Sequence, residues 1–395
     1  MHIAHIQGIF SPEHGGPTQS LTNYCLGQAR AGHRVSLWAL EGFAHTSPAV
    51  RLPAPVESHI FATEWPSVLG RSRAMRAALR AAPKPDVFHL HGAWLRAMHY
   101  GAERARRDRI PYLLEVMGMY EPYSLRQKWP RKRFARWWFQ DAILRHANCL
   151  HVNSPSEAEA LRKLGFAAPI AVIPVGTPIP SRDVPESAPG LETLKGRPFV
   201  LFLSRIHAKK GVELLLRAWA ALRKSEFAHR TSADRALVIA GTGDPKYVAA
   251  CRTLAEELGI AGSCVWPGRV TDAQKHWLLA RAQVFVLPTF SENYGNVVAE
   301  ALAHGSPVIT TTGTPWRELP ARGCGWVVEP EAAALRAALH EALGRPPDEL
   351  HAMGAAGRRW AEAALSVGRV LADLEQVYRW LLGGGPRPGS VELKR

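Results

Sequence analysis

Two acidic residues, Glu292 and Glu300, lie on either side of a transition from strand-like to helix-like sequence. The apolar run 284–287 is stopped by Pro288 and is typical of a buried parallel strand, whereas apolar residues from Val297 onward recur at helical spacing. The first turn of a helix carries open amides and the positive end of the helix dipole, so it attracts a phosphate. Carboxylates flanking that phosphate can accept hydrogen bonds from hydroxyl groups. The pattern therefore predicts a site for a diphosphate between two hydroxyl-bearing groups.

A second charged group follows the predicted strand 199–203, in the sequence Ser-Arg-Ile-His-Ala-Lys-Lys-Gly from Ser204. Arginine offers a planar fork of donors to phosphate oxygens, and lysine offers a compact positive charge. Ligands of open parallel sheets bind at the carboxyl ends of the strands. We therefore interpret Arg205 and Lys210 as cations for a leaving diphosphate, with Lys209 the less suitable lysine.

These motifs carry a family resemblance. The phrase SENYGNVVAEALAHGSPVITT, followed by GTPWREL, resembles the Glu-x7-Glu region of the family-4 retaining glycosyltransferases, and Arg205 and Lys210 match that family's Gly/Ser-Arg-x4-Lys-Gly motif. The resemblance spans nearly the whole chain. It implies that Glu292 contacts the transferred sugar and that Glu300 holds the ribose hydroxyls. It further implies backbone contacts to sugar and phosphate at Asn293, Tyr294, Gly295 and Asn296.

Two more donor contacts are implied by the same resemblance. Gly15 and Gly16 follow the first predicted strand, where paired glycines let backbone amides approach a phosphate or sugar. In the sequence WPGRV, Gly268 and Arg269 occupy the turn that reads the nucleoside base in this family. The turn does not distinguish uracil from guanine.

The acceptor side is predicted less completely. His89 and His91 end a predicted strand and point to the same side by alternation, so either could orient an acceptor hydroxyl or belong to a hydrogen-bonded core pair. His91, nearer the strand end, is our choice for the catalytic role. Many relatives carry a histidine or arginine after the next strand, where this chain has Met117, which cannot transfer a proton. Glu115 is a possible substitute.

Alternating strand and helix patterns predict an α/β fold with parallel sheets, and the resemblance specifies the GT-B architecture, in which two Rossmann-like domains face each other across a cleft. We predict an amino-terminal acceptor domain over 1–180, a proline-rich linker over 181–198 and a nucleotide-sugar domain over 199–368. By resemblance, a helix over about 369–385 returns to the first domain. The residues 386–395 are predicted to be a flexible tail.

Composition excludes several other classes of protein. No window approaches the roughly 18 apolar residues of a membrane span, and the start of the chain lacks a basic secretory signal, so we expect a cytoplasmic protein. The five cysteines have no metal-ligand spacing. No Asp-x-Asp occurs, so we expect no metal and no cofactor, only a UDP- or GDP-sugar as donor substrate.

The formal net charge is +15, and residues 1–180 carry 22 Lys/Arg against 12 Asp/Glu, a surplus of 10. In the segment 126–145, five aromatic residues interleave with seven basic ones. Such a segment could lie on an anionic bilayer, on the inner face of the membrane. It could equally be an ordinary helix that buries Phe134, Trp138 and Ile143. A nucleic-acid partner is not expected, because no nucleic-acid-binding motif is present.

Taken together, the sequence predicts a metal-independent retaining hexosyltransferase that moves a sugar from UDP or GDP to a glycan or lipid-linked acceptor. The segments His-Gly-x-Trp and Glu-Pro-x-Ser-Leu-Arg resemble those of enzymes of bacterial surface polysaccharide synthesis, such as exopolysaccharide, lipopolysaccharide or O-antigen. Two alternatives remain open: a nucleotide-sugar epimerase of the same fold, and a non-catalytic partner that keeps donor binding.

Overall fold

The computed structural model describes residues 1–44, 46–126, 129–224 and 235–394, without the side chains of Trp129 and Arg131. The chain forms two compact units. The first comprises Met1–Gly176 together with Val367–Arg395, and the second comprises Thr177–Ser366. Each unit is built on one mostly parallel sheet with helices, as predicted for an α/β protein.

The first unit has an eight-stranded sheet in the order β14-β7-β6-β5-β4-β1-β2-β3. Its strands are β1 His2–Ile9, β2 Arg34–Glu41, β3 Glu57–Ala62, β4 Val87–His91, β5 Tyr112–Glu115, β6 Cys149–Val152, β7 Ile170–Val172 and β14 Val391–Glu392. All neighbouring strands are parallel except β14 and β7. The helices are α1 Gly16–Arg30, α2 Arg73–Ala81, α3 Arg96–Asp108, α4 Pro122–Arg126, α5 Trp129–Ala135, α6 Asp141–Arg145, α7 Pro155–Lys163 and α14 Val367–Leu381.

The second unit has a six-stranded parallel sheet in the order β10-β9-β8-β11-β12-β13. Its strands are β8 Phe199–Leu203, β9 Ala236–Ala240, β10 Cys264–Gly268, β11 Val284–Leu287, β12 Val308–Thr311 and β13 Gly325–Val328. The helices are α8 Val212–Arg223, α9 Pro245–Glu257, α10 Asp272–Arg281, α11 Asn296–His304, α12 Ala332–Gly344 and α13 Pro347–Trp360. The strand order reverses between β8 and β11, and ligands of open parallel sheets bind at such a reversal.

The segment 181–198 does not behave as a separate linker. It lies within the second unit, contains a short helical turn at Glu192–Leu194 and buries Leu191 and Leu194. The side chain of Gln274 donates to the carbonyl of Pro189 at 2.7 Å. The apolar residues of this proline-rich stretch are therefore packed within the second unit.

The carboxyl-terminal tail also differs from the prediction of a flexible segment over 386–395. Val391 and Glu392 form β14, which pairs antiparallel with β7. Val391 is buried, and the amide of Val172 donates to Ser390 at 2.9 Å. The tail therefore supplies partners for backbone groups that β7 would otherwise leave at the sheet edge.

Helix α14 belongs to the first unit, although it follows the second unit in sequence. It buries Val370, Leu374, Val377 and Tyr378 along one face and packs against α1. These are residues of the apolar face expected from helical periodicity. The helix covers the face of the sheet on which a set of titratable side chains lies.

That set, called here the histidine cluster, comprises His5, His89, His91, Glu115 and His151. The residues come from four adjacent strands, β1, β4, β5 and β6, at matching register, and each is at most 2% exposed. Burial lowers the pKa of His5 to about 3, lowers that of His89 well below its ordinary value and lowers that of His151. These three imidazoles are therefore neutral near pH 7.

Hydrogen-bond partners fix the proton positions in one half of the cluster. His151 Nε2 lies 3.0 Å from the carbonyl of Ile173, which can only accept, so this nitrogen donates. Nδ1 of the same neutral ring then accepts from His89 Nε2 at 3.3 Å. Consequently His89 Nδ1 accepts from the hydroxyl of Tyr378 at 2.8 Å, and that hydroxyl accepts from Gln28 Nε2 at 3.3 Å.

The same reasoning continues through the other half. The side-chain oxygen of Gln28 accepts from His5 Nε2 at 2.7 Å, so His5 Nδ1 accepts from His91 Nε2 at 2.9 Å. His91 Nδ1 lies 2.6 Å from Glu115 Oε2. Burial opposes ionisation of Glu115, but the hydrogen bonds from His91 and Asn153 lower its pKa below the ordinary value. The buried carboxylate is therefore held by two side-chain donors.

We expect the first unit to lose stability as the pH falls from about 6.5 toward 3, the interval between the ordinary histidine pKa and that of His5. Unfolding lets the imidazole take up a proton that the folded core excludes. Each such histidine then lowers the free energy of unfolding by about 1.4 kcal/mol per pH unit. Urea midpoints near pH 7.5 and pH 5.5 measure the loss.

His5→Asn should reduce the pH dependence of the midpoint, because one excluded proton is removed. His146→Asn, at an exposed histidine of the same unit, should leave it unchanged. An unaltered pH dependence in His5→Asn would show that the folded core does not exclude a proton from His5.

Candidate donor-binding site

The turn after β8 holds the predicted cations Arg205 and Lys210. Arg205 is exposed, whereas the side chain of Lys210 is only 12% exposed and lies in a short helical turn, Ala208–Lys210. Gly211 follows with φ 70° and begins α8. A Cβ on this glycine would lie 2.0 Å from the carbonyl oxygen of Pro288, so no other residue fits between the two turns.

The turn after β11 holds Glu292 and leads into α11. Gly295 has φ 77° and precedes the helix, whose first turn has no side-chain cap. In this first turn the amide of Val298 donates to the carbonyl of Gly295 at 2.8 Å. Anion binding by the start of the helix, at Asn296, stays a prediction. A Cβ on Gly295 would lie 3.1 Å from Cγ of Glu292, so the glycine also makes room for that side chain.

These two turns are joined to each other. The carbonyl of Lys209 accepts from the amide of Phe290 at 2.9 Å and from the hydroxyl of Thr289 at 3.0 Å. In addition to these hydrogen bonds, Nζ of Lys210 forms an ion pair with Oε2 of Glu292. The structure thus brings together one predicted phosphate ligand and the predicted sugar ligand, from residues 82 positions apart in sequence.

The loop between Glu292 and α11 is held from behind by Trp316. The indole N–H of Trp316 donates to the carbonyl of Tyr294, and the two rings lie 5.0 Å apart. Tyr294 is buried, and its hydroxyl has no hydrogen-bond partner among the described residues. The side-chain oxygen of Asn293 is likewise buried without one. The sequence assigned only backbone contacts to Asn293 and Tyr294. The burial of their side-chain oxygens therefore does not contradict that prediction.

Glu300 lies on α11, just over one turn from the first residue of the helix. Its carboxylate is 24% exposed and pairs with Nζ of Lys275 on α10 at 3.1 Å. The backbone carbonyl of Glu300 accepts from His304, whose other ring nitrogen contacts His276 at 3.1 Å. Sequence analysis missed Lys275, which belongs to no motif, and it assigned no contact to Trp316, although Trp316 lies in the quoted sequence GTPWREL.

Gly268 and Arg269 lie at the end of β10. Gly268 has φ 72°, its carbonyl accepts from the amide of Gly241 at 2.8 Å, and a side chain there would meet nothing within 4 Å. Arg269 is exposed. An open turn at the carboxyl end of a strand is compatible with a nucleoside edge, and the assignment stays a prediction.

In the first unit, Gly15 and Gly16 lie at the start of α1. Gly15 has φ 63° and is exposed, and no atom lies within 4 Å of where its side chain would be. Gly16 is the first residue of the helix. The amide of Gly15 donates to the carbonyl of Pro12 at 3.0 Å, and the ligand contact assigned to the paired glycines stays a prediction.

His91 does not lie where an acceptor could contact it. Its side chain is 1% exposed, and both ring nitrogens are occupied, one by Glu115 and the other by His5. The interpretation of His91 as the acceptor-side catalytic residue is therefore wrong in this structure. The second interpretation of the His89–His91 pair, as hydrogen-bonded core residues, describes both.

Glu115 belongs to the same buried cluster and does not replace the missing histidine. The loop that follows it places Met117 at φ 51° and Gly118 at φ 69°. Glu157 at the start of α7 holds this loop, accepting from the amides of Gly118 and Asn153. Burial raises the pKa of Glu157 to about 8. Sequence analysis missed this residue, which resembles an ordinary first-turn acid.

Two triads in the described part of the chain have spacing compatible with a metal ion: His5, His89 and His91, and His89, Glu115 and His151, each with ligand atoms within 4.8 Å of one another. Every ring nitrogen in these triads has a hydrogen-bond partner within the protein. Hydrogen bonding therefore accounts for the cluster without a metal.

The basic segment 126–145 forms α5, a π-helical stretch Arg136–Gln140 and α6; Gln127 and Lys128 lie outside the described residues. Phe134, Trp137 and Trp138 are 57%, 82% and 51% exposed, whereas Ile143 is buried. The alternative of a helix that buries Phe134 and Trp138 is thus wrong. No helix among the described residues has the length and apolarity to cross a bilayer.

Comparison with known proteins agrees with the geometry. The family model for group 1 glycosyl transferases matches residues 183–360, and the model for the glycosyl transferase 4-like domain matches residues 15–176. The chain is 29% identical to D-inositol 3-phosphate glycosyltransferase 1 of Catenulispora acidiphila, over 97% of this chain and 96% of that protein. It is 30% identical to the lipopolysaccharide core biosynthesis glycosyltransferase LpsE of Rhizobium meliloti, over 44% and 48% of the two chains.

Among solved structures, the chain is similar to Anabaena Alr3699/HepE in complex with UDP and glucose, with a TM-score of 0.71 at 17% identity, covering 95% of this chain and 99% of that one. This likeness confirms the predicted fold. With the two family models matching successive halves of the sequence, the chain belongs to the group 1 glycosyltransferases of the GT-B fold.

Proposed function

We propose that this protein transfers a hexose from a UDP- or GDP-sugar to a glycan or lipid-linked acceptor, with retention of anomeric configuration and without a metal. One observation carries the proposal: the turns after β8 and β11 are joined, so that Lys210 and Glu292 meet beside the open amino terminus of α11. A cation, a carboxylate and a helix terminus at one sheet edge suit a sugar diphosphate.

Each charged residue then has a role. Arg205 and Lys210 bind the diphosphate, and Glu292 binds hydroxyls of the transferred sugar. Glu300 accepts hydrogen bonds from the ribose, while the turn at Gly268 and Arg269 contacts the base. Asn293 to Asn296 and the Gly15–Gly16 loop supply backbone contacts to sugar and phosphate.

The chemistry follows from where charge develops. The bond between the anomeric carbon and the diphosphate oxygen breaks, the acceptor oxygen bonds to the same carbon from the same face, and the acceptor proton passes to the diphosphate. The departing oxygen becomes more negative, so Arg205, Lys210 and the amides of α11 stabilise the transition state more than the bound donor. The protein otherwise positions the reactants.

Two relatives support the class of substrate. HepE was crystallised with UDP and glucose, which supports a nucleotide-sugar donor. LpsE acts in lipopolysaccharide core biosynthesis, which supports a role in making a surface polysaccharide. Analysis of the products of donor and acceptor together separates transfer from epimerisation of the donor alone.

We expect one nucleotide series among UDP, GDP, ADP and their sugar conjugates to raise the melting temperature of the wild-type protein. A ligand at 100 times its dissociation constant stabilises the native state by about 2.7 kcal/mol. Arg205→Ala and Glu300→Ala should lose most of this stabilisation. Thermal-shift measurements with and without EDTA test both donor binding and metal independence.

Arg217→Ala is the matched control, since Arg217 is an exposed arginine on α8 of the same unit. The Arg217→Ala variant should show the same ligand-induced rise in melting temperature as the wild type. A folded, monodisperse wild-type protein that no nucleotide stabilises would contradict the donor site. A shift abolished by EDTA would contradict metal independence.

We also propose that the protein binds the surface of an anionic membrane through 126–145. Three exposed aromatic side chains, Phe134, Trp137 and Trp138, share this segment with the exposed cations Arg133 and Arg145. Aromatic rings favour the headgroup level of a bilayer, and cations bind lipid phosphate. A lipid-linked acceptor would be presented at such a surface.

The protein should sediment with phosphatidylglycerol vesicles and not with phosphatidylcholine vesicles, and salt should weaken the binding. Trp137→Ala should reduce the apparent affinity about tenfold, because it removes the most exposed ring among the described side chains of the segment. Co-sedimentation at several lipid concentrations measures this change.

Trp65→Ala provides the control, because Trp65 is 90% exposed in the same unit but outside the segment. It should bind vesicles as the wild type does. Equal sedimentation with both lipids, or equal losses in the two variants, would refute the proposed membrane surface.

A further inference from the structure

We propose that Lys275 is a positioning residue of the ribose site, acting through Glu300; this rests on the donor role proposed above for Glu300. Lys275 lies on α10, which begins four residues after Gly268. Glu300 lies on the neighbouring helix α11, and the two side chains meet at 3.1 Å. Lys275 therefore connects the helix that follows the predicted base turn to the predicted ribose ligand.

Stability does not explain this lysine. The ion pair is partly exposed, at 33% for Lys275 and 24% for Glu300, and pairs of this kind contribute only about 0–1 kcal/mol. Lys275 also lies near the amino terminus of α10, where the helix dipole disfavours a cation. A cation in this place is explained better by the carboxylate that it holds.

The geometry leaves that carboxylate usable. Lys275 contacts Oε1 of Glu300, and a carboxylate has about four acceptor positions, so lone pairs remain for the two ribose hydroxyls. Neighbouring contacts fix the same pair of helices. His276 meets His304 at 3.1 Å, and the hydroxyl of Ser306 donates to the carbonyl of Leu279. The helices are thus held in place, and Lys275 selects the orientation of one side chain between them.

Recognition of vicinal hydroxyls depends on that orientation. A carboxylate free to rotate must be ordered when the ribose binds, and that ordering costs affinity. Lys275 orders it beforehand. The loss of Lys275 should therefore weaken contacts to the ribose hydroxyls specifically, and leave contacts to base and diphosphate unchanged.

The test compares UDP and GDP with their 2′-deoxy counterparts, by calorimetry on the whole protein. For the nucleotide that binds, Lys275→Met should weaken the ribose form about tenfold, a typical effect for a hydrogen bond to a charged group. For the 2′-deoxy form, the same substitution should lower the affinity by about half as much on a logarithmic scale, or less, because one of the two hydroxyl contacts is already absent. Lys275→Arg should restore most of the affinity.

Two further variants isolate the mechanism. Lys195→Met removes an exposed lysine elsewhere in the second unit and should change neither affinity. The double variant Lys275→Met with Glu300→Gln should bind no more weakly than Glu300→Gln alone, since Lys275 acts only through Glu300.

The possible failures are distinguishable. Equal losses for the ribose and 2′-deoxy forms, or no loss at all, would overturn the role of Lys275 while donor binding stands. Equal affinity of the wild type for both forms would overturn the ribose role of Glu300, and this inference with it. Binding of neither UDP nor GDP would overturn the proposed donor site itself.

Discussion

The contact between the turns after β8 and β11 is the constraint on which the rest of the candidate site depends. A lysine and a glutamate 82 residues apart can meet only because two parallel strands place their carboxyl ends side by side. The hydrogen bonds from the amide of Phe290 and the hydroxyl of Thr289 to the carbonyl of Lys209 hold the turns in contact, and Gly211 leaves the space that this contact needs. The ion pair of Lys210 and Glu292 completes the link. Arg205, α11 and Glu300 are then positioned by short chain segments leading away from it.

In the first unit, a histidine and a glutamate that resemble a catalytic pair have a structural role. His91 and Glu115 meet at 2.6 Å, as a general base and its orienting group would, yet no face of the pair is exposed. Burial excludes a substrate and makes each hydrogen bond a condition of folding, because an unpaired polar group in a core is costly. Tyr378 from α14 completes this network. The cluster therefore joins the end of the chain to the sheet of the first unit.

Much of the fold was predictable, because strands such as β11 and β8 are short apolar runs followed by proline, glycine or charge. Strand β3 was missed, since five of its six residues are half-buried and the sixth is exposed, which leaves no clear pattern. The donor motifs were recognised from residue types, spacing and the family resemblance, and the ligand contacts assigned to them stay predictions. The sequence could not decide whether the His89–His91 pair lies in the core, because Tyr378, which hydrogen-bonds His89, lies 289 residues further along the chain. Lys275 could not be found either, since a lone lysine on a helix predicts only a solvated charge.

Without His91, no side chain is assigned as the acceptor base, and the proposed reaction does not require one. If the acceptor approaches the face from which the diphosphate departs, the leaving oxygen lies close to the acceptor hydroxyl and gains negative charge as the bond breaks. It can therefore take the proton itself. Methionine at position 117 then removes no group that the proposed reaction needs. In that reaction Arg205, Lys210 and the amides of α11 must stabilise the diphosphate, yet leave its oxygen able to accept that proton.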